Sequence, residues 1–209
     1  LLKDRGICPL KSGESELERK ISMGNTVRWA FNKNSVLAAE AIRQIRAERR
    51  RIHVSRGRTD GEELESLPLD EQAFVIRQLK RPEEIDLLTR AFGKRFIQIS
   101  VSTPLSNRVQ ALTSRLMTTQ SGWTSEKCVN HSNDLIRKDQ NEKDESTGQR
   151  ISKIYHLGDA FLDGRTNEYL EESATRFVEA FFGRNTIGPS RDEYGSYVAK
   201  GASLRSVDL

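Results

Sequence analysis

The apolar pattern in the middle of the chain predicts two strands that alternate with two helices. The run AFVIRQL at 73–79 fits a buried strand, and RFIQISVS at 95–102 fits a second one. Between them, residues 82–93 have helical spacing, with a proline suited to the first turn and a glycine suited to a left-handed end. Helical spacing returns at 105–116. This order favours parallel strands joined by right-handed crossovers.

Further helices and a strand are predicted on either side of this region. Residues 34–51 place apolar side chains at i, i+3, i+4 and i+7, which predicts a helix with a polar N-cap. Residues 166–183 predict a strong helix, and residues 192–209 begin another. A short strand is expected at Ala160–Leu162. The predicted fold class is therefore α/β, with a three-layer arrangement around a parallel sheet.

Composition narrows the function classes only a little. The chain has 209 residues, 35% of them hydrophobic, which is enough for one core. Its 34 Lys and Arg against 30 Asp and Glu leave a net charge of +4, too small to indicate nucleic acid by itself. Cys8 and Cys128 stand far apart and predict neither a zinc knuckle nor a disulfide framework. No apolar run approaches the roughly 18 residues that a membrane span needs.

Familiar catalytic motifs do not occur in the sequence. The histidines at 53, 131 and 156 are isolated and do not have metal-ligand spacing. A GxSxG elbow and a GxxxxGK[ST] phosphate loop are both absent. Gly93-Lys94 precedes a predicted strand, so its amides cannot open a helix around a phosphate.

Basic residues follow the first predicted strand, at the edge where ligands collect in open α/β sheets. Arg77, Lys80 and Arg81 are candidate contacts for a nucleotide phosphate or base. The alternative is that Lys80 and Arg81 form salt bridges with Glu83 and Glu84 at the start of the next helix. Both interpretations remain open from the sequence.

Two other basic features also have alternative interpretations. Arg137 and Arg150 flank a charged turn and are candidates for a mobile lid over phosphates or for a solvated loop. Seven arginines lie between Arg43 and Arg58, as expected for a nucleic-acid patch or for the solvated end of a helix. Few aromatic residues alternate with them, which disfavours base stacking.

Four segments of the chain resemble the N-terminal region of bacterial anti-phage deoxycytidine nucleotide deaminases. The middle segment is the most specific, because strand, Lys-x-Pro-Glu-Glu and strand recur together. The segments are MGNTVRWAFNKNSVLAAEAI (23–42), FVIRQLKRPEEIDLLTRAFGKRFIQISVSTP (74–104), DLIRKDQNE…GQRISKIYHLGDAFLD (134–163) and DEYGSYVAKGASLRSVDL (192–209). Together they cover most of the chain, and residues 46–70 match least.

The resemblance implies two domains. Residues 1–185 would be part of a kinase-like α/β domain of the P-loop type, whose first strand and phosphate loop would precede Leu1. Residues 186–209 would be a linker and the first helix of a cytidine-deaminase-like domain. Its zinc motifs would follow Leu209, so the resemblance assigns no catalytic residue and no metal ligand within this sequence.

The resemblance also implies a function and its partners. The chain would be a non-catalytic regulatory or nucleotide-sensing domain of a zinc-dependent deaminase that converts dCTP or dCMP to dUTP or dUMP during antiviral defence. Zinc would belong to the deaminase domain, and a nucleotide to the kinase-like domain. Expected partners are deoxycytidine nucleotides, a regulatory RNA or a phage-derived trigger, and further copies of the chain. The expected location is the cytoplasm, without a membrane.

Two alternative functions differ in what they require. An active nucleoside or nucleotide kinase would need an acidic residue to hold Mg²⁺, but the strand predicted at 73–79 ends in Arg-Gln-Leu-Lys. A nucleic-acid-binding regulatory module would use the Arg43–Arg58 stretch and bind with steep salt dependence.

Overall fold

The computed structural model of the protein describes residues 15–58, 63–140, 148, 150–184 and 186–204. This part of the chain is mixed α/β and mostly helical, with a small parallel sheet of two strands. The helices and strands are α1 Glu16–Phe31, α2 Val36–Ser55, α3 Pro82–Phe92, β1 Ile99–Ser102, α4 Leu105–Thr119, α5 Ser125–Gln140, α6 Ile151–Ile154, β2 Ala160–Asp163, α7 Asn167–Phe181 and α8 Arg191–Ser203. Short 3-10 turns follow α3 at Gly93–Arg95 and α6 at Tyr155–Leu157.

Helix α1 is not predicted by the apolar pattern, and local polar contacts set its bounds. Ser15 is the N-cap, and its side chain accepts a hydrogen bond from the backbone N–H of Glu18. The Glu18 carboxylate accepts one from the backbone N–H of Ser15 in return. At the other end, Asn32 takes a left-handed conformation with φ 49°. This reciprocal capping satisfies amides that the first turn of a helix otherwise leaves free.

Helix α3 confirms the prediction for residues 82–93. Pro82 occupies the first turn, where its missing N–H has no helical partner. Glu84 accepts hydrogen bonds from the backbone N–H groups of Lys80 at 2.7 Å and Arg81 at 3.2 Å. Ile85 and Leu88 are buried on the inner face. Interactions within a few residues of its first turn therefore set where α3 begins.

The strand predicted at 73–79 is wrong. Residues 72–80 have no regular secondary structure, and Val75 is 91% exposed. Gln78 has φ 73°, in the left-handed region, which interrupts an extended backbone. The ring of Phe74 lies beside the Arg49 guanidinium instead of in a sheet, 5.9 Å from its Cζ atom. An apolar run becomes a strand only where a neighbouring strand pairs with it.

The sheet consists of β1 and β2. The strand predicted at 95–102 is confirmed over its last four residues, and the one at Ala160–Leu162 is confirmed with one added residue. Gly164 follows β2 and donates its N–H to Ser102 O at 2.7 Å. A Cβ atom on Gly164 would lie 2.5 Å from Thr103 Oγ1 and 3.0 Å from Ser102 O, so this close approach requires glycine.

The chain divides into two compact units. One comprises residues up to Ser100 together with Pro104–Asp159, and the other comprises Val101–Thr103 and the chain from Ala160 onward. In the first unit, a buried cluster joins α1, α4 and α5. Its members are Ile21, Leu116, Cys128 and Leu135, with Leu17 and Trp123 packed against them. In the second, α7 contacts β2. The predicted domain boundary at 185/186 stays a prediction.

Among the described residues, no helix is both long enough and apolar enough to qualify as a membrane span.

Candidate functional site

The start of α3 brings together several charged side chains, and Arg81 lies at their centre. Arg81 is 2% exposed. Its Nε and Nη2 atoms donate to the two Glu83 carboxylate oxygens at 3.1 and 3.0 Å. Its Nη1 atom donates to the Gly148 carbonyl at 2.6 Å. Paired N–H groups on a planar guanidinium match a carboxylate or a phosphate in the same geometry.

A second arginine meets the same helix start from α1. Arg28 Nη2 donates to Glu84 Oε1 at 2.9 Å, and the two side chains are 2% and 3% exposed. Arg28 Nη1 donates to Asn25 Oδ1 at 3.2 Å. The Nε atom of Arg28 is also buried and has no hydrogen-bond partner in the described part of the chain. Sequence reasoning misses this residue, because its partner lies 56 residues away.

Lys80 links this helix start to two other segments. Its side chain is 15% exposed and forms an ion pair with Asp139 near the end of α5. The backbone N–H of Arg150 donates to the Lys80 carbonyl at 2.9 Å. The start of α3 therefore contacts both the end of α5 and the residue before α6.

The electrostatics at the start of α3 favour the ionised form of Glu83. Glu83 accepts from Arg81 and also from Asn34 Nδ2 at 3.0 Å. Hydrogen bonding to Arg81 is the main cause that lowers the pKa of Glu83 to about 2, against the opposing effect of burial. The positive end of the α3 dipole acts in the same direction.

The structure brings together some of the predicted site residues. Lys80, Arg81 and Arg150 meet at the start of α3. Arg77 is exposed in the irregular segment before them. Arg137 is exposed on α5, forms an ion pair with Asp134 at 3.5 Å and lines a cleft of about 500 Å³ between α4 and α5. The salt-bridge alternative is confirmed for Arg81 with Glu83, whereas Lys80 pairs with Asp139.

The arginines of α2 are largely paired within the protein. Arg43 contacts Glu40 at 2.7 Å and Arg51 contacts Glu48 at 2.5 Å, both on the solvent-exposed side of the helix. Such intrahelical pairs are typical of a solvated helix face. Nucleic-acid binding by the Arg43–Arg58 stretch stays a prediction.

The groups at the start of α3 are the cationic side chains of Arg28, Lys80 and Arg81 and nearby backbone N–H groups. Within the described ranges, no group of three or more His, Cys, Asp and Glu side chains is arranged to hold a metal ion. The Glu83 carboxylate is 43% exposed, whereas the Arg81 guanidinium with which it pairs is 2% exposed. A dissolved anion would reach Arg81 only by displacing Glu83.

Comparison of the chain with protein-family models, with curated proteins and with solved structures finds no match. Its function must therefore be inferred from its own residues.

Proposed function

We propose that this chain is the non-catalytic, nucleotide-sensing regulatory part of a zinc-dependent deoxycytidine nucleotide deaminase that acts in antiviral defence. The proposal draws on the resemblance of residues 74–104 to that family and on the anion-binding chemistry at the start of α3. The nucleotide sensed would be dCTP or dCMP, and the cytoplasm would be its location. Assembly into a homo-oligomer is proposed from the resemblance alone.

The Arg81–Glu83 pair is the observation that carries this proposal. The Arg81 side chain is 2% exposed, whereas the Glu83 side chain is 43% exposed. Guanidinium groups bind phosphate in the same two-pronged geometry as carboxylate, so a nucleotide phosphate competes with Glu83 for Arg81. Arg77, Lys80, Arg137 and Arg150 would supply further phosphate contacts. Displacement of Glu83 would free the first turn of α3 and signal that nucleotide is bound.

We also propose that β1 and β2 belong to a larger three-layer sheet that resembles that of P-loop nucleotide kinases. Parallel sheets normally have both faces covered, and a lone pair of strands is only marginally stable. Three apolar side chains of the two strands are half exposed: Ile99 at 46%, Val101 at 48% and Phe161 at 54%. These half-exposed apolar side chains support a layered arrangement in which further elements cover the faces of the sheet.

Zinc would act outside the residues that this chain contributes. In zinc-dependent cytidine deaminases the metal activates a water that attacks C4 of the base, while a glutamate transfers the proton. The residues of this chain would bind and report the nucleotide phosphates through Arg81 and its neighbours.

Calorimetric titration with dCTP, with ATP and dTTP in parallel, tests the proposed site. Substituting Glu83→Gln removes the competing negative charge, so we expect dCTP to bind about tenfold more tightly. Lys80→Ala should weaken binding. Glu179→Gln, which changes a partly exposed carboxylate paired with Arg184, is the matched control and should leave the affinity unchanged.

Two results would contradict the proposal. One is a failure of dCTP to bind, or an affinity that Glu83→Gln leaves unchanged while circular dichroism shows a folded variant. The other is that the protein carrying this chain releases no ammonia from deoxycytidine nucleotides when zinc is present.

A further inference from the structure

A second group of arginines lies near the C-terminal end of α3, whereas Arg81 lies at its start. Arg46 and Arg49 belong to α2, and Arg95 lies in the 3-10 turn after α3. The Arg49 Cζ atom lies 5.5 Å from the centre of the Phe92 ring and 5.9 Å from that of Phe74. The Arg49 Nε atom is buried and has no hydrogen-bond partner in the described part of the chain. The fold thus holds the Arg49 guanidinium near two aromatic rings, and its Nε–H has no acceptor among the described residues.

The charges of Arg46 and Arg95 both act unfavourably on that of Arg49. Burial is the main cause that lowers the pKa of Arg49, and the nearby charges of Arg95 and Arg46 lower it further. Arg46 forms an ion pair with Glu65 at 3.1 Å. Among the described residues no ion pair supplies a carboxylate to Arg49 or Arg95. Within the described part of the chain, the cluster therefore has two positive charges, on Arg49 and Arg95, that no ion pair neutralises.

The sequence of α2 explains why Arg49 differs from its neighbours. Arg43 and Arg51 each have a glutamate three residues earlier, which holds the guanidinium in an exposed pair and raises its pKa. The residue three positions before Arg49 is Arg46, another cation. Arg49 consequently has no carboxylate one turn earlier, and it turns towards the aromatic rings.

We propose that Arg46, Arg49 and Arg95 form a binding site for a compact polyphosphate anion, either free or as the tail of a nucleotide. An anion of this kind would neutralise the excess charge through the exposed guanidinium groups of Arg46 and Arg95, beside that of Arg49. The aromatic surroundings lower the local dielectric constant and so strengthen the attraction. The neighbouring arginines Arg43 and Arg51 are already paired, which favours a compact ligand over an extended nucleic acid. This site is separate from Arg81 and does not depend on the proposed deaminase function.

Titration of the full chain with inorganic pyrophosphate at low ionic strength tests this site. We expect Arg95→Gln and Arg49→Gln each to weaken binding about tenfold, since each removes a charged donor to the anion. Arg51→Gln changes the net charge equally but lies in an exposed pair, so its affinity should stay within about twofold of the wild type. Arg95 is exposed, so its variant is expected to fold even if Arg49→Gln does not.

Parallel titrations identify the source of the phosphate. Equal affinities for inorganic triphosphate and ATP would support a site that contacts phosphate alone, and tighter binding of ATP would support a nucleotide tail. In either case, Arg95→Gln must weaken the binding. The proposal would be overturned if pyrophosphate does not bind, if all three variants weaken it equally, or if a long single-stranded RNA binds while pyrophosphate does not.

Discussion

At the scale of single residues, the start of α3 is held by two arginine–glutamate pairs of different character. Arg28 and Glu84 are both almost completely buried, whereas Arg81 is buried and Glu83 is half exposed. A buried pair is costly to assemble but far more costly to break, because the remaining charge is left without compensation. A partly exposed carboxylate can exchange with solvent or with another anion. The first pair is therefore structural, and in the second pair only the carboxylate is accessible to solvent.

Removing Glu84 tests the structural pair. We expect Glu84→Ala to lower the free energy of unfolding by about 3–5 kcal/mol, because Arg28 stays buried without a counter-ion and two backbone N–H groups lose their acceptor. Urea denaturation measures the change. Glu48→Ala, which breaks the exposed pair with Arg51, serves as the control and should leave stability close to that of the wild type. A loss no larger than that of the control would contradict the structural role.

Glu83 makes the stability of the protein depend on pH. Its pKa is lowered from 4.5 to about 2 in the folded protein, so its contribution is present above about pH 4.5 and is lost as the pH falls towards 2. We expect chemical denaturation between pH 5 and pH 2 to show a steeper loss in the wild type than in Glu83→Gln, because the variant cannot titrate there. Identical slopes for the two proteins would contradict this assignment. Since Glu83 is 43% exposed, the difference is expected to shrink at high salt.

At the scale of elements, local signals define the helices better than the strands. Pro82 and the following glutamates mark the start of α3, and the structure confirms the helix there. The run at 73–79 has strand-like composition, but it lacks a partner strand and Gln78 breaks its extended backbone. Helices close their hydrogen bonds within themselves, whereas a strand needs a neighbour that may lie far away in the sequence.

The capping boxes of α1 and α8 are expected to contribute differently, one to global stability and the other to local stability. Ser15 caps α1, is 1% exposed and lies 3.1 Å from His131 Nε2 through its hydroxyl oxygen, whereas Ser190 caps α8, a helix without buried residues. We expect Ser15→Ala to lower the free energy of unfolding by about 1 kcal/mol. Ser190→Ala should instead speed hydrogen exchange in α8 alone, because fraying there exposes no core. Equal effects of both variants on global unfolding would contradict this difference.

At the scale of the whole molecule, net charge is a poor guide to where ligands bind. The chain carries a net charge of only +4, yet the fold brings the charges of Arg46 and Arg95 close to that of Arg49. Among the described residues, Arg46 pairs with Glu65, whereas no ion pair supplies a carboxylate to Arg49 or Arg95. It also buries Arg28 and Arg81 against glutamates of α3. Local charge imbalance created by folding, and not the total charge, therefore makes Arg46, Arg49 and Arg95 a candidate anion site.

The sequence by itself determined the start and end of α3, the helices α2, α4 and α7, and the short strands β1 and β2. These depend on side-chain spacing, capping residues and glycines, which act over a few positions. Only the tertiary structure decided that residues 73–79 stay irregular, that Arg28 pairs with Glu84, and that Arg49 lies between two phenylalanine rings. Those outcomes depend on contacts between residues far apart in the chain, and no local pattern encodes which distant partner a strand or a charged side chain will meet.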